Sequence, residues 1–261
     1  MIKLQRRYVE KPWGRTTLPP MFDPPAGTRI GEVWFEGDKD LPLLAKYIFT
    51  SEKLSVQVHP NDEQARARGL ARGKSECWYI LEAELGATLG LGVTRTIDSL
   101  ELRAAALDGS IENLMDWRPV TAGDFVFVPS GTIHAIGAGI SLLEFQQNAD
   151  VTYRLYDYGR PRELHLDEGM AVSNAAPFPD DLVQHLSGSE QRKLVDGPHF
   201  VLVQSKEDAL QDRLRWVIPI EGEVRSGEII GRPGDCLLLK PGESFETSGA
   251  RVLIGATAQQ S

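Results

Sequence analysis

A chain of 261 residues, 41% hydrophobic and 25% charged, holds enough apolar material to bury the core of one large or two small domains. Its formal net charge of -9, with no Lys/Arg cluster interleaved with aromatics, repels polyanions and argues against a nucleic-acid partner. No uncharged stretch approaches the roughly 20 apolar residues that span a bilayer. Lys3, Arg6 and Arg7 are followed by no apolar run of the kind that opens an export signal. Neither membrane insertion nor export is expected. The two cysteines, Cys77 and Cys236, lie in separate apolar runs, which gives no disulfide framework and suits a cytoplasmic location.

Short runs rich in Val, Ile, Leu and aromatics recur between Gly and Pro punctuation, at 43–49, 54–59, 76–82, 124–128, 141–147, 200–204, 215–220 and 236–239. This rhythm predicts a mainly β fold of antiparallel sandwiches or barrels. Helical periodicity is confined to a turn-rich segment near Asn61 to Arg68 and to Ile97–Leu107, where Ile97, Leu100, Ala104 and Leu107 share a stripe. Both read as insertions between strands. From about Asp167 to Pro198 the chain is polar, with Pro177, Pro179 and Ser187-Gly188-Ser189, so a boundary is expected there: residues 1–170, a linking region 171–198, and a terminal unit 199–261. A faint internal repeat supports two similar units. Pro119 to Gly131 and Gly231 to Gly242 share a Gly-Asp turn, an apolar strand, then Pro and Gly. The first copy continues into Ile133-His134, whereas the second has no histidine at that corner.

Leu54 to His59 alternates with period two, so Ser55, Gln57 and His59 share one face of a strand. Ser75 to Leu81 is an apolar strand carrying Glu76, a carboxylate that is costly to bury without a cation. Gly123 to His134 ends a strongly apolar strand in a Pro/Gly corner followed by His134. Two imidazoles, one carboxylate and one amide oxygen suit a divalent ion, with zinc, Mn, Fe, Co and Ni all compatible. Gln57, His59, Glu76 and His134 are therefore the candidate ligands, although any one of these histidines taken alone reads more simply as a core or surface residue.

These residues resemble a known family. Gly123 to His134 matches the second cupin motif, G-x5-P-x-G-x2-H, at every specified position. The first cupin motif ordinarily carries His-x-His with Glu soon after; here it reads Gln57-x-His59, with Glu76 following an inserted loop. That departure resembles the type I phosphomannose isomerases. EKPWG (10–14), GEVW (31–34), LSVQVHPND (54–62), GKSECWYIL (73–81), VPSGTIHAIG (128–137) and LLEFQQNADVTYRLYDYGR (142–160) are similar to that family in the same order. The resemblance covers roughly residues 8 to 165 and points to the shorter bacterial members. It implies a catalytic cupin-like jelly-roll unit, with the helical segments as short insertions; the terminal unit, a repeat without a ligand set, is expected to be a degenerate cupin-like copy with a structural role. It implies one zinc per chain held by Gln57, His59, Glu76 and His134, and interconversion of mannose 6-phosphate with fructose 6-phosphate.

Such an isomerisation moves a proton between C1 and C2 and stabilises an enediolate. Lys74, two positions before Glu76 as in the family, and Glu144, in an apolar strand where an unpaired carboxylate would be costly, are candidates for the proton. Arg154 matches the family's arginine near the metal, with stabilisation of the enediolate or grip on phosphate as its role. A salt bridge to a neighbour such as Arg154 is the plain alternative for Glu144. Arg160 is the candidate for phosphate binding, with Arg162 beside it, and Trp13 and Trp78 are candidates to line a sugar pocket. Cys77 is expected to face away from the site as an inert buried thiol. A cupin acting on another sugar phosphate, or one that binds a metal and sugar phosphates without catalysis, remains an alternative; Gln57 argues against a histidine-rich iron dioxygenase. The sequence says nothing of oligomeric state.

Overall fold

The computed structural model describes every residue except 38, 39, 187, 189, 260 and 261. In chain order, β1 (Ile2–Lys3), β2 (Gln5–Arg15), β3 (Ile30–Glu36), β4 (Leu43–Phe49) and β5 (Val56–Val58) lead to a short helix, α1 (Asp62–Arg66). Strands β6 (Glu76–Ala83) and β7 (Thr88–Val93) precede helices α2 (Ser99–Asp108) and α3 (Ile111–Leu114). Next come β8 (Met115–Pro119), β9 (Asp124–Val128), β10 (His134–Ile136), β11 (Ile140–Gln147), β12 (Tyr153–Tyr156) and α4 (Leu166–Val172). The remainder is β13 (Val183–His185), β14 (Arg192–Asp196), β15 (Phe200–Ser205), β16 (Arg215–Ser226), β17 (Ile229–Gly231), β18 (Leu237–Leu239) and β19 (Glu246–Thr257).

Three sheets result. The first runs β13-β9-β6-β11-β4-β3-β2, the second β12-β5-β10-β7-β8, and the third β1-β18-β16-β19-β15-β14 with β17 beside β16. The architecture is mainly β with short helical insertions, and each apolar run read from the sequence lies on a strand. The long strand β2 escapes that reading because it is the outer strand of its sheet, where half-exposed charged residues interrupt the apolar pattern.

The centre of the first sheet is buried on both faces, which decides where side chains go. On β11, Leu142 packs between the first two sheets while Leu143 and Phe145 face the third. Likewise Ile48 of β4 and Trp78 and Ile80 of β6 face the second sheet, whereas Ala45, Tyr47, Cys77 and Tyr79 face the third. Cys77 therefore points away from the site, as expected. The third sheet sits close: a Cβ on Gly255 of β19 would stand 2.2 Å from the Phe145 ring, so only glycine admits this contact.

Helix α1 opens with a capping box, the Asn61 side chain accepting from the Gln64 N–H and the Gln64 side chain accepting from the Asn61 N–H. Helix α2 corrects the expected stripe. Leu102, Ala105 and Ala106 are its buried face, while Leu100 and Leu107 are 78% and 65% exposed and Ala104 is also exposed. Both stripes have helical spacing; the buried one has the smaller side chains, and its two alanines let the helix pack closely on its neighbours.

The repeat is visible in the backbone. Gly123 and Gly234 adopt φ of +95° and +93°, and the following aspartates, Asp124 and Asp235, each accept from the N–H three residues earlier, at Thr121 and Arg232. The segment 171–198 carries structure of its own: β13 pairs with β9 in the first sheet, and β14 with β15 in the third. Ser187 and Ser189, part of the turn expected there, lie outside the described residues. Near the start of the chain, β1 pairs with β18, so the earliest residues cross to the third sheet.

Candidate functional site

Two rows of side chains meet between the first and second sheets. In the second sheet, Gln57 of β5 is flanked across the ladders by His134 of β10 and Arg154 of β12. In the first sheet, Glu144 of β11 is flanked by Lys46 of β4 and Trp78 of β6, and Gln146 is opposite Glu76. His59 follows β5 directly, and the loop before β6 supplies Lys74.

The core of the site is a buried cluster of His59, Glu76 and His134, with ligand atoms within 4.8 Å of one another. Glu76 Oε2 lies 3.4 Å from His59 Nε2, and Oε1 lies 3.3 Å from His134 Nε2. Each imidazole is oriented from behind. His59 Nδ1 faces the Val151 carbonyl at 2.8 Å and His134 Nδ1 faces the Thr132 carbonyl at 2.9 Å. Each Nδ1–H then donates to a backbone oxygen, and the Nε2 lone pair points into the cluster. Burial pushes the basicity of both rings down, His134 to about 4, so they are neutral and able to ligate.

Among the described residues, neither oxygen of Glu76 has a well-directed hydrogen-bond donor, although Lys74 Nζ stands 2.8 Å from Oε2. A fully buried carboxylate in that condition is expensive unless a cation lies against it. Burial, with Glu144 adding to it, raises the Glu76 carboxyl above its ordinary range. Gln57 Nε2 is 3.2 Å from His134 Nε2, and Oε1 accepts from the Ser55 hydroxyl. A half-turn of the amide brings its oxygen to the cluster, since the two ends are interchangeable in shape. Two imidazole Nε2 atoms, which here face the Gln57 amide and Lys74 Nζ at 3.2 Å each, an under-bonded carboxylate and an amide oxygen fit a divalent metal ion.

Above the cluster the cleft is lined by five basic residues, Lys11, Lys46, Lys74, Arg154 and Arg162, against three acidic ones, Glu32, Glu144 and Asp150. In a chain of net charge -9 this is a local reversal of sign that suits an anionic ligand. Glu144 is held by Lys46 Nζ at 2.9 Å, by the Trp78 indole N–H at 3.0 Å, and has Lys74 Nζ at 3.6 Å. Burial alone would raise its carboxyl; the two lysines outweigh it and hold the carboxyl to about 2. Its partner is thus Lys46, not Arg154.

The sequence-derived candidates are brought together with two exceptions, Arg160 and Trp78. His59, Glu76 and His134 form the cluster, Gln57 and Lys74 stand against it, Glu144 lies 3.6 Å from Lys74, and Arg154 lines the cleft. Arg160 does not line it. Its guanidinium donates to Asp157 and to the Lys53 carbonyl and lies over the Tyr158 ring, because the buried Asp157 carboxylate competes for it. Arg162, gripped through two of its nitrogens by the same Asp157, does reach the cleft wall. Trp13 lines the cleft as expected, but Trp78 is fully buried beneath it, edge-on to His134.

Lys46 and Glu32 were not singled out from the sequence. Lys46 sits at the centre of a strand buried along its whole length, and Glu32 is 6% exposed, 3.8 Å from Lys46 and bonded to the Trp34 indole at 2.7 Å. The argument applied to Glu144, a charge in an apolar run, applies equally to LLAKYIF at 43–49 and would have found Lys46.

No protein-family profile matches the chain. Among curated proteins, the mannose-6-phosphate isomerase ManA of Bacillus subtilis is 37% identical over 244 residues, covering 83% of this chain and 77% of the relative. The crystal structure of the mannose 6-phosphate isomerase from Bacillus subtilis superposes with a TM-score of 0.78 at 28% identity, over 97% of this chain and 98% of that one. A zinc-bound mannose 6-phosphate isomerase structure shares the fold, with a TM-score of 0.72 at 16% identity over 98% of this chain and 99% of that one. The sequence identity runs through most of both chains and the fold through nearly all of them, so this chain belongs to the mannose-6-phosphate isomerase family.

Proposed function

We infer that this protein is a metal-dependent aldose-ketose isomerase that interconverts mannose 6-phosphate and fructose 6-phosphate. The observation that carries the reading is the buried Glu76 between two imidazole Nε2 atoms, set at the foot of a cation-lined cleft in a member of this family. The ion is zinc, one per chain, held by Gln57, His59, Glu76 and His134. It supplies Lewis-acid polarisation of the substrate's carbonyl and hydroxyl oxygens, typically worth several kcal/mol in the transition state.

The chain's own groups do the rest. Glu144 and Lys74, 3.6 Å apart, move the proton between C1 and C2, with Lys46 keeping Glu144 ionised and oriented. Arg154, with one nitrogen donating to the Glu163 carbonyl and Nε unbonded among the described residues, offers fixed positive charge to the developing enediolate or to phosphate. Arg162 and Lys11 at the cleft wall replace Arg160 as the phosphate contacts. Trp13 presents an aromatic surface suited to the C–H face of a sugar. Residues 1–170 are the catalytic cupin unit and 199–261 a degenerate copy that supports it. No described helix is long and apolar enough to cross a membrane, and the two buried free thiols suit a reducing cytoplasm.

Following fructose 6-phosphate formation from mannose 6-phosphate in a coupled assay tests this reading. Turnover by the zinc-loaded protein is expected, with Arg154→Ala lowering kcat/KM about 10- to 100-fold, the worth of a hydrogen bond to a charged group. Absence of turnover from folded, zinc-loaded protein would overturn the substrate assignment.

A further inference from the structure

Three chain segments carry the cluster: the one leaving β5 after His59, the loop entering β6 with Lys74 and Glu76, and the end of β11 after Glu144. All three converge on one carboxylate outside the cleft. Asp62 Oδ1 accepts from the Gly73 N–H at 2.8 Å and from the Gln147 side-chain amide at 2.9 Å. Gln147 passes the connection on, its Oε1 accepting from the Ser75 N–H at 2.9 Å. The Lys74 N–H, between these two, donates to the Pro60 carbonyl at 3.0 Å. The segments are in backbone contact: a Cβ on Gly73 would stand 2.4 Å from the Asn61 carbonyl carbon and 2.5 Å from the Pro60 oxygen. On its other side, Asp62 Oδ2 faces His199 Nδ1 of the terminal unit at 3.6 Å and Arg66 at 3.8 Å.

Resting on the reading above, we propose that Asp62 is a positioning residue that fixes His59, Lys74 and Glu144 relative to one another, with Gln147 as its relay. It touches neither metal nor substrate. Lys74 lies one residue beyond Gly73 and Glu144 three before Gln147, so slack at this carboxylate becomes displacement of both groups. Burial works against ionisation of Asp62, but the Gly73 N–H and the Gln147 amide outweigh it, so the carboxyl titrates below its ordinary range and is present as the acceptor. A misplacement of about 1 Å at the reacting groups is enough to cost on the order of 100-fold in rate.

The test compares parent, Asp62→Ala, Asp62→Asn and Gln147→Leu by steady-state kinetics with mannose 6-phosphate and by the rate at which zinc passes to a chelator. For Asp62→Ala, kcat is expected to fall about 10- to 100-fold with KM within about threefold, and zinc release to quicken at least about tenfold. Asp62→Asn keeps the accepting oxygen and is expected to recover both to within about threefold. Gln147→Leu cuts the relay and is expected to share the alanine signature. A folded Asp62→Ala with both quantities within about twofold of parent, or an asparagine variant as impaired as the alanine one, would overturn the proposal. If Asp62→Ala fails to fold, Gln147→Leu decides: parent-like kcat and zinc release overturn it. Zinc release does not depend on substrate, so the clasp is tested even if the parent fails to act on mannose 6-phosphate, an outcome that refutes the substrate assignment alone.

Discussion

Glu76→Ala is expected to remove bound metal and turnover together while leaving the fold intact. Glu76 is the single carboxylate of the His59–Glu76–His134 cluster, and its two oxygens face both imidazoles. Losing it leaves two neutral nitrogens and an amide, a donor set too weak to neutralise a divalent ion in a buried site. Activity is expected to drop at least about 1,000-fold, since the polarising ion contributes several kcal/mol. Stability of the metal-free protein should fall less than for the Glu144 variant, because burial of the Glu76 carboxylate is itself costly and Lys74, which loses its partner at 2.8 Å, retains Glu144 at 3.6 Å. Metal analysis by atomic emission, beside thermal unfolding of chelated protein, separates these effects. A variant that retains zinc at one equivalent and turns over normally would remove Glu76 from the ligand set.

Glu144→Gln is expected to act differently, costing turnover and stability but not metal. Glu144 is the principal counter-charge for the buried Lys46 at 2.9 Å and contributes to Lys74. Replacing it with a neutral amide of the same shape leaves those cations under-compensated, with Glu32 at 3.8 Å the remaining partner of Lys46. Removing one partner of a buried pair costs about 3–5 kcal/mol, and the retained Glu32 places this case near the lower figure. Loss of the proton-carrying carboxylate should reduce kcat about 100- to 10,000-fold. Zinc content should stay near that of the parent, because Glu144 is not a ligand. Denaturant unfolding and metal analysis check the first and third points; full turnover by the variant would take Glu144 out of the proton path.

How much of this was legible in the sequence depends on the physical signal each residue left. Gln57 and His59 were readable because a period-two strand puts alternate residues on one face, and His134 because a Pro/Gly corner ends its strand in a recognisable motif. Glu76 and Glu144 were readable as charges embedded in apolar runs. Lys46 left the same signal and sits opposite Glu144 on β4, but pairing register, which makes it a neighbour, is a tertiary fact that no local pattern carries. Arg160 and Arg162 look alike in sequence; both bond the buried Asp157, but Arg160 is also drawn to the Lys53 carbonyl and only Arg162 lines the cleft, a tertiary distinction. On α2, two apolar stripes compete within one turn-length, and packing against neighbouring elements chose the small-residue stripe Leu102, Ala105 and Ala106 over Leu100, Ala104 and Leu107. The polar stretch 171–198 read as a linker because its two strands are short and half-exposed, and they gain stability from the sheets they join rather than from their own sequence. Asp62 was visible only as the last residue of a family-like segment and a helix-opening position, since its place at the meeting of three segments distant in sequence is a tertiary fact.

The most direct test of the central claim is a zinc titration of chelated, metal-free protein, with fructose 6-phosphate formation measured at each addition. Activity is expected to rise in proportion to added zinc and to level off at about one equivalent per chain, the capacity of one four-donor site. Full activity in the metal-free protein, or a plateau at zero activity with zinc bound, would contradict the account.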